Sequence, residues 1–317
     1  MEVIYMILGL ALLLVGANYL VEASVSLARR VGISSFVIGV TVVGFGTSAP
    51  ELVVSVSSAL QGHGDLSVGN IIGSSVCNLL LVLGATAAIC PFVINREAVR
   101  RDIPVNFFVS LLLVALIFDG HLFGTPGMGL GRIDAAILLA CLALYMWRIF
   151  KTGDVDAGKS EAKQEAADKC PVWFRVGEAL LSLAALVYGS QLLVDSASAL
   201  AVQFGVSEKV VAVTVVAVGT SLPELTTCVI AAMKGDAELA LGNAIGSNVL
   251  NILFILGISA LCRPITLMSV NMVDCGMMLL ASLLTFVVAF TFGKYRFDRI
   301  EGIIFLILYA AYVASLI

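Results

Sequence analysis

The chain has 317 residues, 60% of them hydrophobic and only 13% charged, with a formal net charge of −4 at pH 7 and a mean hydropathy of +1.06. Soluble domains carry about a quarter charged residues, so this composition excludes a soluble globular domain and indicates an integral membrane protein. The seven cysteines (77, 90, 141, 170, 228, 262 and 275) are odd in number and lie mostly in apolar runs. They form no disulfide or zinc spacing and read as small buried apolar residues.

Apolar runs long enough to span a bilayer, about 17–25 residues each, fall near 3–28, 34–60, 66–90, 103–119 and 131–150. The first starts at Val3 with no basic segment or cleavage site before it, so it is expected to stay as a helix. A polar stretch from Lys151 to Pro171, rich in Lys, Glu, Asp and Ala, follows and reads as a solvated linker. Five further spans fall near 173–200, 206–233, 237–262, 271–293 and 299–317. The expected architecture is all-α, with ten transmembrane helices: a first five-helix repeat over 1–150, a linker over 151–172 and a second repeat over 173–317.

Orientation follows from the basic residues. Loops after the odd-numbered spans hold 15 of the 18 Lys and Arg, and the other side holds only Arg132, Lys209 and Arg263. The positive-inside rule then puts the linker in the cytoplasm and both termini outside a plasma membrane. Each half has an odd number of spans, so the second enters the membrane upside down relative to the first. That is an inverted repeat, the plan of many secondary transporters.

The repeat is visible in the residues themselves. Val37 to Gly84 aligns without a gap with Val210 to Gly257 at an offset of 173, and 25 of the 48 positions are identical. Its centre is Gly46-Thr47-Ser48-Ala49-Pro50-Glu51, repeated as Gly219-Thr220-Ser221-Leu222-Pro223-Glu224. A proline breaks or kinks a helix, and an ionised carboxylate at mid-membrane depth costs about 2.5–3.5 kcal/mol or more. Two copies of both at one fixed spacing read as a binding site rather than as packing.

In the second span, Ser48 suits a helix N-cap and Pro50 the first turn of a restarted half-helix. Backbone carbonyls before the break, around Gly44 to Thr47, lose their helical partners; at this depth they must line a cavity or be buried in protein. The seventh span repeats this around Ala217 to Thr220. In the third span Asn70, Ser74 and Asn78 form one polar stripe, as do Asn243, Ser247 and Asn251 in the eighth. Gly69 with Gly73 and Gly242 with Gly246 are small-residue pairs that allow close helix approach. Spans two, three, seven and eight are expected to be broken where they meet. The cage they offer is all oxygen, which suits hard cations such as Ca²⁺ and Na⁺.

These stretches resemble the paired α-repeats of the sodium/calcium exchanger family in its compact prokaryotic form, in two copies of GTSxPE followed by GNxxGS. The resemblance implies that Glu51 and Glu224 ligate Ca²⁺ and Na⁺. It also implies that Thr47, Ser48, Thr220, Ser221, Ser74 and Ser247 add oxygens by side chain or backbone, with the backbone at Gly44 and Ala217 beside them. Asn78 and Asn251 would line the centre. Some relatives carry Asp where Asn251 stands, and potassium-dependent ones carry an acidic residue there. The expected activity is electrogenic, K⁺-independent Na⁺/Ca²⁺ antiport by alternating access, with an H⁺-coupled cation exchanger as the alternative. No cofactor, nucleic acid or obligate protein partner is implied; Ca²⁺ and Na⁺ are substrates and the bilayer is the solvent.

Two other classes fare worse. Gly62-His63-Gly64-Asp65 spells the GxGD of intramembrane aspartyl proteases, but Asp65 is expected in a loop and the chain has no Tyr-Asp dipeptide to supply a partner. His63 and His121 also fall in loops, which disfavours a Ser/His protease. Glu22 and Asp195 share the 173 offset but lie near span ends, and are left outside the site.

Overall fold

The computed structural model describes residues 1–93, 96–118, 128–157, 170–204, 217–268, 272–291 and 295–316. The first half comprises α1 (Glu2–Val31), the bent pair α2 (Ser35–Thr47) and α3 (Ala49–Gln61), α4 (Gly64–Ile89), α5 (Arg96–Phe118) and α6 (Arg132–Ala157). The second comprises α7 (Val172–Gln203), α8 (Ala217–Gly219), α9 (Leu222–Met233), α10 (Ala237–Cys262), α11 (Met272–Thr291) and α12 (Arg299–Leu316). Among the described residues eight helices are long and apolar enough to cross a membrane, nine if the bent pair is one span. Of the expected linker over 151–172, residues 158–169 lie outside the described residues, while α6 continues to Ala157 and α7 starts at Val172; residues 206–216 of the expected seventh span, His121 and Lys209 lie outside them too.

Helix is the solution an apolar run must adopt in lipid, because every backbone polar group is then satisfied within the segment. The second span obeys this up to Pro50, which has no N–H to give the carbonyl four residues earlier; α2 and α3 meet there at 53°. α3 stops at Gly62, whose φ of 86° is open to glycine and strained for other residues.

The third and eighth spans differ from expectation. Neither is broken: α4 and α10 run through 26 residues each. Each instead contains a π-helical turn, at Cys77–Val82 and at Asn251–Leu256. Neither span contains a proline, so a shift of bonding to the fifth residue suffices where a break was expected. Asp65 likewise lies in the first turn of α4 rather than in a loop, and its carboxylate accepts the Met268 N–H.

α4 and α10 are the inner helices, with 78% of their central windows buried, against 28% for α1, α6 and α7. Gly242 and Gly246 let α10 approach α2: an added Cβ would lie 2.5 Å from the Phe36 oxygen and 2.6 Å from Val40 Cα. α1 and α7 pack on one another through Gly9 and Gly189, each less than 3 Å from the other's backbone oxygen once a Cβ is added (2.8 and 2.9 Å). Large side chains such as Leu180, Leu181, Ile7 and Ile307 remain exposed, as lipid contact requires.

Two short ribbons close the ends. β1 (Phe92–Val93) pairs antiparallel with β4 (Arg296–Phe297), and β2 (Gly129–Leu130) with β3 (Ile265–Thr266). Each joins the loop after an inner helix of one half to the start of the last helix of the other. The same exchange recurs in side chains: Cys90 Sγ meets the Ala232 carbonyl, and Arg263, 173 residues on, reaches the Leu60 carbonyl. Asp134 accepts the Gly131 N–H and Glu301 the Asp298 N–H, the same cap at the start of α6 and α12.

Candidate functional site

The bend between α2 and α3 brings Thr47, Ser48 and Glu51 to the middle of the molecule, and α8 with α9 brings Thr220, Ser221 and Glu224. Glu51 and Glu224 are both fully buried and close enough for each charge to act on the other. Thr220 faces Glu51, and the Ser48 hydroxyl donates to Glu224 Oε1 at 3.2 Å. Ser48 stands at the N-cap position of α3 and Pro50 in its first turn. However, the Ser48 side chain does not cap the helix, because it is drawn to Glu224 instead.

The inner helices complete the cluster. Thr47 Oγ1 lies 3.1 Å from Asn243 Oδ1 and 3.0 Å from the Val43 carbonyl, so one hydroxyl proton is shared between two acceptors. Asn251 Nδ2 donates to Ser74 Oγ at 3.1 Å, and Ser74 donates to the Ile71 carbonyl. Asn70 ties α4 to α3 through the Ser55 hydroxyl at 2.9 Å and the Glu51 carbonyl at 3.4 Å. The Gly44 carbonyl accepts the Ser48 N–H at 3.1 Å; it is a partnered oxygen rather than the orphan expected. Of Ala217, only its place at the start of α8 is described.

A set of buried polar atoms here has no hydrogen-bond partner: both Glu51 oxygens, Glu224 Oε2, both Asn78 amide atoms, Asn251 Oδ1, Ser221 Oγ and Ser247 Oγ. Each unmade bond to a buried polar group costs about 1–3 kcal/mol. Such a cluster is sustained when a ligand meets it. Among the described residues no three His, Cys, Asp or Glu come together, so the negative charge comes from two carboxylates and the remaining groups are neutral.

The pairing is lopsided. Ser48 binds Glu224, but Ser221 and Glu51, the equivalent pair, stay apart; Asn251 binds Ser74, but Asn78 and Ser247 stay apart. Most of the free oxygens therefore belong to Glu51, Ser221, Ser247 and Asn78.

Some neighbours were not singled out from the sequence. Cys77 lies beside Ser221 and near both carboxylates, and Asn243 Nδ2 lies 3.3 Å from Cys228 Sγ. Asn248 donates to the Ser75 carbonyl at 3.4 Å, and these two positions are 173 apart, so equivalent residues of the repeat touch each other. That offset was the available signal. Glu22 lies away from the cluster, paired with Lys234 at 2.7 Å.

The family described as sodium/calcium exchanger protein matches residues 1–151 and 176–317. This chain belongs to the sodium/calcium exchanger family. The exchanger is 36% identical over 316 residues to the putative antiporter CaxA of Alkalimonas amylolytica, covering 98% of this chain and 96% of the relative. It is 28% identical over 352 residues to the sodium/calcium exchanger MaX1 of Methanosarcina acetivorans, covering 98% and 97%. Among solved structures, the sodium-calcium exchanger NCX_Mj soaked with zero Na⁺ and Ca²⁺ superposes with a TM-score of 0.84 at 32% identity, over 100% of this chain and 99% of that one. The exchanger is thus a multi-pass membrane antiporter of the cation-exchange class, and not an enzyme.

Proposed function

We propose that the exchanger moves Ca²⁺ against Na⁺ by alternating access at one central site. Glu51 and Glu224 supply the charge, while Thr47, Ser48, Thr220, Ser221, Ser74 and Ser247 supply neutral oxygens. Asn78 and Asn251 line the centre, with the backbone at Gly44 and Ala217 alongside. The observation that carries this is the pair of fully buried carboxylates, Glu51 just after the bend at Pro50 and Glu224 next to Pro223, with unpartnered oxygens around them. Nothing cationic from the protein pairs with either carboxylate among the described ion pairs, which leaves both open to a bound cation.

The halves 1–150 and 173–317, joined by the linker 151–172, act as an inverted repeat of five helices each. The exchanged ribbons, the matching caps at Asp134 and Glu301, and the Asn248–Ser75 contact support this. Basic residues gather around the β1–β4 end and Trp147 and Trp173 flank the linker, as aromatic anchors do at an interface. That end is cytoplasmic in this reading.

Two carboxylates give the empty site a charge of at most −2, which one Ca²⁺ or two Na⁺ neutralise. More than two Na⁺ per Ca²⁺, as the resemblance implies, makes each cycle electrogenic. Asn251 leaves no third acid for K⁺. The test is ⁴⁵Ca²⁺ uptake into proteoliposomes under an outward Na⁺ gradient and, separately, an outward H⁺ gradient. Uptake driven by Na⁺ is expected; uptake driven by H⁺ and indifferent to Na⁺ would replace this reading with proton-coupled exchange.

A further inference from the structure

The two halves use one matched pair of residues differently. α11 and α12 carry Asp274 and Tyr312, and the Tyr312 hydroxyl donates to Asp274 Oδ1 at 2.8 Å. The matching residues of α5 and α6 are Asp102 and Tyr145. Asp102 precedes Ser110 by eight positions as Asp274 precedes Ser282, and Tyr145 follows Arg132 by thirteen as Tyr312 follows Arg299. Asp102 is fully buried and close enough to act electrostatically on Tyr145. Yet the Tyr145 hydroxyl, also buried, has no hydrogen-bond partner. Arg101 has taken the carboxylate, with Nε 2.9 Å from Oδ2 and 3.1 Å from Oδ1. Its counterpart in the second half is Val273, whose side chain has nothing to donate.

The same guanidinium lies over the ring of Phe36, with Cζ 5.7 Å from the centroid, within the range of a cation–π contact. Phe36 is buried at the second position of α2, and its carbonyl lies where a Cβ on Gly242 would come within 2.5 Å. From there α2 runs directly to Thr47 and Ser48. The contact cannot recur in the other half, where the equivalent positions are Val273 and Lys209.

We infer that Arg101 is a positioning residue: held by Asp102 on α5 and stacked on Phe36, it fixes the outer end of α2 and thereby the oxygens at its inner end, with Tyr145 as the alternative partner for Asp102. The inference rests on the central cation site proposed above. A half-helix that is in place for only part of the time raises the apparent Kd by the reciprocal of the fraction of time it is in place, so a three- to tenfold rise corresponds to a fraction of about a third to a tenth. It leaves turnover at saturation little changed. Once Arg101 is gone, the Tyr145 hydroxyl can donate to Asp102 as Tyr312 donates to Asp274, which lessens, without cancelling, the cost of leaving a buried carboxylate without its guanidinium.

The test uses the full chain in proteoliposomes and nanodiscs with Arg101→Gln, Arg101→Lys, Phe36→Leu and Tyr145→Phe. Arg101→Gln is expected to raise the KM for Ca²⁺ roughly three- to tenfold with Vmax within about twofold. Arg101→Lys keeps the charge but not the planar stack, and recovers part of the shift. Phe36→Leu gives the same rise, and the double variant goes no further than either single one, because one acts through the other. Tyr145→Phe leaves the melting temperature unchanged alone and lowers it only in combination with Arg101→Gln. Hydrogen–deuterium exchange should quicken across Ser35–Thr47 in Arg101→Gln and stay unchanged across Leu222–Met233. That readout does not depend on which cation is carried, so a failure of the Na⁺/Ca²⁺ reading is distinguishable from a failure of this one. Unchanged exchange in Ser35–Thr47, additive effects of Arg101→Gln and Phe36→Leu, or a lower Vmax and melting temperature at constant KM would each reduce Arg101 to an ordinary structural ion pair and overturn the inference.

Discussion

Glu51→Gln removes one of the two charges that offset dehydration of a divalent ion, and Glu224→Gln removes the other. Breaking a buried charge pairing by deleting one partner costs about 3–5 kcal/mol, roughly a hundredfold or more in occupancy. Each variant should therefore lose nearly all ⁴⁵Ca²⁺ uptake while eluting from size exclusion as the wild type does; uptake within tenfold of wild type in either would remove the carboxylates from the site. The serines separate more finely. Ser74 Oγ already accepts from Asn251 and donates to Ile71, whereas Ser247 Oγ has no partner and is free to meet a cation. Ser247→Ala should raise the KM for Ca²⁺ about tenfold, the order expected for losing a bond to a charged group, and Ser74→Ala about threefold or less. The reverse order, measured in the same proteoliposomes, would show that the lopsided pairing does not govern binding.

At the scale of elements, the site depends on how closely α10 approaches α2. Gly246→Val places a branched side chain where an added Cβ is already 2.6 Å from Val40 Cα. Overpacking of this kind costs about 1–3 kcal/mol. It should lower the melting temperature of the purified protein, whereas Gly177→Val, where an added Cβ meets nothing within 4 Å, should not; equal melting curves would mean that the two helices can part freely. The bend at Pro50 was legible in the sequence because a missing N–H is a local fact. So was the cluster of Glu51, Glu224 and the flanking hydroxyls, because the repeat displays it twice. The π-turns at Cys77–Val82 and Asn251–Leu256 were not, since no residue type there marks bonding to the fifth residue. Ser48 holds the N-cap position its sequence suggested, but its side chain does not cap, because its acceptor, Glu224, lies 176 residues away, beyond the reach of local rules. The match of α5 with α11 and α6 with α12 also stayed hidden. It survives in few residues, Asp102, Ser110 and Tyr145 among them, and the offset drifts from 173 to 172 and then 167.

For the whole molecule, the ribbons β1–β4 and β2–β3 mark two ends with different charge, and the orientation proposed above follows from that difference. In a background with the seven native cysteines replaced, a single cysteine introduced at Lys163, in the linker, should be labelled by an impermeant thiol reagent only after cells are opened. Labelling in intact cells would invert the molecule and with it the charge argument. The central claim is that two neutralising carboxylates exchange one Ca²⁺ for more than two Na⁺, with no part for K⁺. It is tested most directly by recording current from exchanger-loaded proteoliposomes on a solid-supported membrane while Ca²⁺ is switched on and off against Na⁺, with and without K⁺. The account predicts a Ca²⁺-evoked, Na⁺-dependent current that is the same in both conditions and absent in Glu51→Gln. A current that requires K⁺, or Ca²⁺ movement that Na⁺ does not affect, would contradict it.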